Sequence, residues 1–287
     1  MMIKRLYLLL LLLTTLTLST AAQQQLSDSA LVVQMLTEAP ADASPLHFAC
    51  LLKGRPYVSH TLEVNDREQL VVNLRQLDCT TLVENAATMA LCVASGRRTY
   101  ADYCRLLTQL RYRQGRLEGY TSRLHYFTDW INDNVALGLV SDQATAEAPF
   151  TAVQTVSVDY MSRHPQSYRA LKSHPEMVPT IAAQEQRLTG QKHRYIPKAQ
   201  IRNTPALRKV VHDGDILAIT CTKQGLDIAH VGIAVWHADG LHMLHASSLK
   251  KKVIEDPLTL AAYLKGHPSF TGIRVIRVQS STDRASW

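Results

Sequence analysis

"AHVGIAVWHADGLHMLHAS", residues 229–247, contains two short runs rich in β-branched and apolar residues on either side of His237-Ala238-Asp239-Gly240. Asp-Gly between such runs is a strong hairpin signal. "GDILAITC" (214–221) before it and "GIRVIRV" (272–278) after it read as further strands, bounded by Gly and Asp. Upstream, "RQLDCTTLVENAATMAL" (75–91) has the period of a helix: Leu82, Ala86, Met89, Ala90 and Val93 recur on one face, and Gly96 supplies a stop. A helix followed by a run of strands, without regular alternation of the two, predicts an α+β fold.

The hairpin decides which histidines meet. Trp236 can pair with Leu241 across a four-residue loop, or Ala238 with Leu241 across a two-residue turn. In either register even positions of one strand face odd positions of the other, so His230 and His245 share a sheet face and His242 takes the opposite one. This weakens any reading of His242 and His245 as a metal pair. Cys79 stands at the start of the helix, capped by Asp78 or by a Thr81-x-x-Glu84 box. A helix start favours a thiolate, so the Cys79 pKa is expected below its ordinary value. A thiol facing two imidazoles is the set a cysteine nucleophile needs: His230, at the strand end, would take the proton and His245 would orient His230. Zinc held by Cys79, His230 and His245 is the chemical competitor, but the sequence lacks the second close ligand pair typical of such sites.

Of 287 residues, 46% are hydrophobic and 19% charged, which excludes a disordered or fibrous chain. Lys4 and Arg5, a leucine-rich run to Leu18 and the small residues 19–22 predict an export signal over residues 1–22, with the mature chain starting near Gln23. That apolar run is short for a membrane span. Residues 23–287, free of repeats and long linkers, are expected to form one domain. Cleavage removes two cations and no acid, so the formal charge falls from +7 to +5. This excess suits an anionic polymer without selecting one. The five cysteines (50, 79, 92, 104, 221) are odd in number and fit no CxxC pattern, so one stays unpaired in a monomer even with two disulfides.

Between about 97 and 205 the chain is rich in basic and aromatic residues. "RLHYFTDWINDN" (123–134) sets His125, Tyr126, Phe127 and Trp130 close together. Such rings either stack on sugar faces or fill the core. Arg187, Lys192, Arg194, Lys198, Arg202, Arg208 and Lys209 read as a solvated basic face. His164-Pro165 and His174-Pro175 read as loop corners.

"DCTTLVE" (78–84), "AHVGIAVW" (229–236) and "LHASS" (244–248), in that order, resemble the motifs of the NlpC-type cell-wall cysteine hydrolases, a papain-like family. "GRPYVSHTLE" (54–63) and "GDILAI" (214–219) are similar to the same family. From about residue 45 to 279 the chain more closely resembles the bacterial N-acetylmuramoyl-L-alanine amidase-like branch, through "RLHYFTDWINDN" and "HRYIPKAQI" (193–201). The resemblance implies a papain-like NlpC-type α+β fold, its nucleophile helix packed on an antiparallel sheet and residues 97–205 forming a large middle insertion. It also implies Cys79 as nucleophile, His230 as base and His245 as third member. Tyr57 would hold the oxyanion with the Cys79 backbone N–H. Thr80 belongs to that same side, and Tyr126 and Trp130 would contact substrate. Ser59-His60-Thr61 replaces glycines of the family pattern and adds His60 as a local participant. The implied reaction is hydrolysis of the N-acetylmuramoyl-L-alanine bond of muropeptides, by an exported, periplasmic monomer with no metal, organic cofactor or nucleic-acid partner. Its competitors are a D-glutamyl-diamino-acid endopeptidase, an acyl transferase and a non-catalytic wall-binding module.

Overall fold

A computed structural model describes residues 26–279; the expected export signal lies outside them. The helix read around Cys79 runs Cys79–Ala94 (α3), after Asp28–Glu38 (α1) and Pro45–Leu51 (α2). Asp78 caps α3. Its Oδ1 accepts from the Thr81 N–H at 2.8 Å, while Thr81 Oγ1 accepts from the Asp78 N–H at 2.9 Å, so each residue satisfies the other's backbone donor. Glu84, which the alternative capping box would place at the helix start, is buried in an ion pair with Arg111 at 2.7 Å. Every residue from Thr81 to Val93 is buried, making α3 a core helix covered on all sides.

Eight strands follow: Val140–Asp142 (β1), Ala152–Thr155 (β2), Lys192–Pro197 (β3), Ile216–Cys221 (β4), Ile228–Trp236 (β5), Leu241–Ser247 (β6), Lys252–Glu255 (β7) and Phe270–Val278 (β8). They form one sheet in the order β2-β3-β8-β4-β5-β6-β7, with β1 also on β8, and all pairings are antiparallel. β4 reads as a continuous apolar run because both its faces are covered: Ile216 and Ala218 point to one core, Leu217 and Ile219 to the other. Gly272 is required where β3 crosses β8, since a Cβ there would lie 2.1 Å from the Ile196 carbonyl.

The first core joins this sheet face to α1, α2, α3 and Tyr100–Arg111 (α4) through Leu36, Phe48, Leu82 and Leu106. On the other face, Pro205–Val210 (α9) and Leu260–Lys265 (α10) contribute Leu207, Leu260 and Leu264. Phe127–Ala136 (α5) adds Phe127, Trp130 and Ile131 to the first core, and a third, smaller core gathers Tyr160–Arg163 (α6), Arg169–Ser173 (α7) and Val178–Leu188 (α8), where Tyr126, Met161, Leu171 and Ile181 meet. The structure is therefore α+β with an antiparallel sheet, as expected. Among the described residues no helix is long and apolar enough to cross a membrane.

Candidate active site

The hairpin adopts the first of its two registers, Trp236 opposite Leu241, with the His237 N–H closing the loop on the Gly240 carbonyl. His230 lies near the start of β5 beside a β-bulge, where Ile219 faces His230 but Thr220 faces Ile228. Bulges re-aim side chains at strand ends. His230 Nε2 meets His245 Nδ1 at 2.6 Å with the rings edge to face, so the two histidines do share a face. His245, 1% exposed, extends the chain: its Nε2 lies 3.3 Å from Asp256 Oδ2, and the Tyr263 ring packs edge-on at 5.6 Å.

The carboxylate fixes the tautomers by elimination. Asp256 accepts the His245 Nε2–H, so His245 Nδ1 is an acceptor and His230 donates from Nε2. The remaining nitrogen, His230 Nδ1, is left bare to receive a proton. Burial, with smaller effects from His245 and His267, pushes the His230 pKa down to about 3. Burial also lowers that of His245, opposed by Asp256.

Cys79 and His230 line one crevice of about 180 Å³. The first residue of α3 is held there by the Asp78 cap on one side and by a bridge between Tyr57 and Leu77 on the other. Contrary to the expectation of a depressed value, the Cys79 pKa is pushed up to about 11. Burial is the main cause and Asp78 adds to it; the Val231 N–H and the hydroxyl and N–H of Thr80 act against them on the sulfur. The pair at rest is a neutral thiol and a neutral imidazole. All five cysteines are free, with Cys50 exposed and Cys92 buried.

The other expected residues divide. Tyr57 is half-buried, and burial followed by the neighbouring Cys79 and Asp78 raises its pKa, which keeps its hydroxyl a donor. Thr80 lines the crevice beside the sulfur. Tyr126 lines it too, but its hydroxyl is turned away and donates to Glu185 Oε1 at 2.6 Å. Trp130 is a correction: it is fully buried in the first core, stacked on Phe127 at 4.8 Å, and presents no face to a ligand. His60 sits exposed on a turn at φ 60°, outside the crevice lining.

Three crevice-side residues escaped the sequence reading. Asp256 continues the relay, and β6–β7 pairing puts it on the His245 face, because Ile254 faces His245. His125, named only among the aromatic run, lines the crevice with Nε2 donating to the Tyr120 carbonyl at 2.9 Å. Asp227 Oδ2 accepts from the Thr128 N–H at 2.6 Å and so caps α5 from outside. "DIAH" (227–230) carried the signal for Asp227, an acid just before the strand of the histidine.

The fold and crevice thus define an α+β protein in which a helix-start cysteine shares a crevice with a histidine hydrogen-bonded to a second one. The chain belongs to the N-acetylmuramoyl-L-alanine amidase-like family, whose model matches residues 47–273. It is similar to the crystal structure of an N-acetylmuramoyl-L-alanine amidase from Bacteroides uniformis, at 40% identity and a TM-score of 0.77, over 83% of this chain and 100% of that one. A candidate xylanase from Bacteroides fragilis is similar at 42% identity and a TM-score of 0.75, over 80% and 99% of the two chains. A Legionella pneumophila protein at 21% identity shares the fold, with a TM-score of 0.67 over 88% of this chain and 93% of that one. No curated protein matches.

Proposed function

We propose that this chain is a cysteine amidase of papain-like NlpC type that hydrolyses peptidoglycan muropeptides between N-acetylmuramic acid and L-alanine. Residues 23–287 act as one exported unit in this reading. The observation that carries it is Cys79 sharing a crevice with His230, whose Nε2 is held by His245 Nδ1 at 2.6 Å. His230 Nδ1 takes the thiol proton as sulfur attacks the lactyl carbonyl carbon. The Cys79 N–H and the Tyr57 hydroxyl hold the resulting oxyanion. Collapse breaks the C–N bond, and His230 returns the proton to the departing alanine amine. Water then attacks the thioester, with His230 again as base, releasing a carboxylate and the free thiol. His245 and Asp256 stabilise the imidazolium as it forms, which a neutral resting pair requires.

A xylanase activity would need two carboxylates across the crevice. The crevice lining holds one, Asp227, already bound to the Thr128 N–H.

The test is product analysis on a defined disaccharide muropeptide. The expected products are a sugar with a free lactyl carboxylate and a stem peptide beginning with alanine. Cys79→Ala and His230→Ala should each lose activity by a factor on the order of 10³ or more, because nucleophile and base act as a unit. Cleavage within the stem peptide would reassign the bond. Absence of any turnover in folded protein would leave a wall-binding module instead.

A further inference from the structure

The basic run of residues 187–209 does not form one uniform face. Arg208 is used within the fold: its guanidinium lies over the Trp236 ring at 4.1 Å and donates to Asn203 Oδ1 at 2.8 Å and to the His237 carbonyl at 2.9 Å. Lys198 and Arg202 instead meet Lys265, from the last turn of α10, around a cavity of about 400 Å³. Ala199, Ile201 and Ala261 complete its lining, which shares no residue with the crevice of Cys79 and His230. Along α10, Ala261 and Lys265 are four apart and share a face, whereas Tyr263, which packs on His245, is turned away from it.

Local structure holds this lining in place. Ile201, 2% exposed, is anchored in the second core with Leu260 and Leu264, and its N–H closes the turn Lys198–Gln200 on the Lys198 carbonyl at 3.3 Å. Arg202 Nε donates to the Ala199 carbonyl at 3.0 Å, which fixes the plane of the guanidinium and leaves both terminal nitrogens unengaged among the described residues. Carboxylates answer other arginines: Asp129 binds Arg113, Asp142 binds Arg274 and Asp215 binds Arg277. None lines this cavity, and among the described residues Lys198, Arg202 and Lys265 have no ion pair. The recess beyond Ile201 and Arg202 holds one acid, Asp239, and both its oxygens lie 3.1 Å from His242 Nε2. Three cations thus converge over an apolar floor with no carboxylate of their own.

We propose that this cavity binds a phosphate ester. The Arg202 fork takes two phosphate oxygens, Lys198 and Lys265 act on the others as point charges, and the carbon part of the ester rests on Ala199, Ile201 and Ala261. A monocarboxylate would match the fork and leave two cations unanswered. The cavity is large enough for the ester's carbon part as well, its volume being that of a small-ligand site. The site goes beyond the amidase reading and does not depend on it. A soluble ester and a phospholipid headgroup offer the same chemistry, and the test separates them.

Isothermal titration of the purified chain with butyl phosphate is expected to show saturable binding, with inorganic phosphate at least about tenfold weaker because it leaves the apolar floor uncovered. Arg202→Ala and Lys265→Ala should each weaken butyl phosphate by about tenfold, as the loss of charge-assisted hydrogen bonds requires. Arg202→Lys should cost nearly as much, because an ammonium keeps the charge and lacks the planar fork. Both side chains are exposed, so these variants should melt as wild type does. The second arm is sedimentation with phosphatidylglycerol vesicles, set against net-neutral phosphatidylcholine vesicles. Binding to phosphatidylglycerol that the same variants abolish names the headgroup as the source, and butyl phosphate binding without vesicle binding names a soluble ester. Absence of binding in both arms, equal affinity for inorganic phosphate and butyl phosphate, or wild-type affinity in all the folded variants overturns the proposal.

Discussion

Cys79 shows how far one residue's chemistry departs from its local motif. Its place at a helix start argues for a thiolate, and the motif was legible from Asp78 and the apolar period behind it. The pKa depends instead on how deeply the fold buries the sulfur and on the charge of Asp78 beside it. Burial and then Asp78 push the thiol up to about 11, and burial with His245 and His267 pushes His230 down to about 3. In the proposed reaction, proton transfer would therefore accompany attack rather than precede it. Alkylation reads this directly, because the thiolate is the reacting form. Labelling of Cys79 by iodoacetamide should be slow near pH 6 and climb by about tenfold per pH unit between about 7 and 10, following the thiolate fraction. Mass-spectrometric site mapping over that series is the measurement; a fast, flat profile from pH 6 upward would reveal a preformed thiolate and imidazolium. Trp130 teaches the same lesson, since an aromatic side chain does not announce whether it faces core or crevice.

At the scale of elements, the long buried strands were readable and the edges were not. β4, β5, β6 and β8 announce themselves through β-branched runs and the Asp-Gly turn. β1, β2, β3 and β7 are three to six residues long; β7, at the end of the sheet, carries in "KVIE" the charges expected of an edge strand, and β3, between β2 and β8, hides its strand pattern behind Lys192, His193 and Arg194. Missing β7 meant missing Asp256, whose face follows only from β6–β7 register. The same hairpin gives the relay a tether on the opposite face. His242 Nδ1 faces the Asp256 carbonyl at 3.0 Å and its Nε2 faces both Asp239 carboxylate oxygens at 3.1 Å. Both partners only accept, which favours the imidazolium form; burial lowers the His242 pKa, but these contacts outweigh it and the net shift is upward. The other groups around it are the His237 ring at 4.9 Å and Glu255. A raised folded pKa contributes stability that is complete below the unfolded value, near 6.5, and is lost as pH rises through the folded one. Thermal melts should thus show a fall in Tm above about pH 6.5 that His242→Phe flattens. An unchanged slope in that variant would assign the fall to other groups.

The whole molecule is organised around α3, which carries the thiol at one end and, along its length, two buried polar residues with side-chain partners outside the helix, Glu84 and Asn85. Composition and the order of helix before strands made the α+β class legible. The partners of those polar residues were not, because they come from α4 and from the segment leading into α3. Tyr103 donates to Asn85, and Arg111 joins Glu84 at 2.7 Å and the Val71 carbonyl at 2.7 Å. Glu84 and Arg111 side chains are 3% and 2% exposed, so neither charge has water to fall back on. Such a pair adds little over a well-packed apolar replacement, yet removing one member strands the other in a dry core at a cost of about 3–5 kcal/mol. Glu84→Gln and Arg111→Met should each destabilise by that order in urea unfolding, whereas a Glu84→Leu, Arg111→Met double variant should recover much of the loss. The pair lies away from the crevice lining, so the folded fraction of each variant should keep its turnover. Single variants with wild-type unfolding midpoints would show that the helix carrying Cys79 is anchored by its apolar contacts alone.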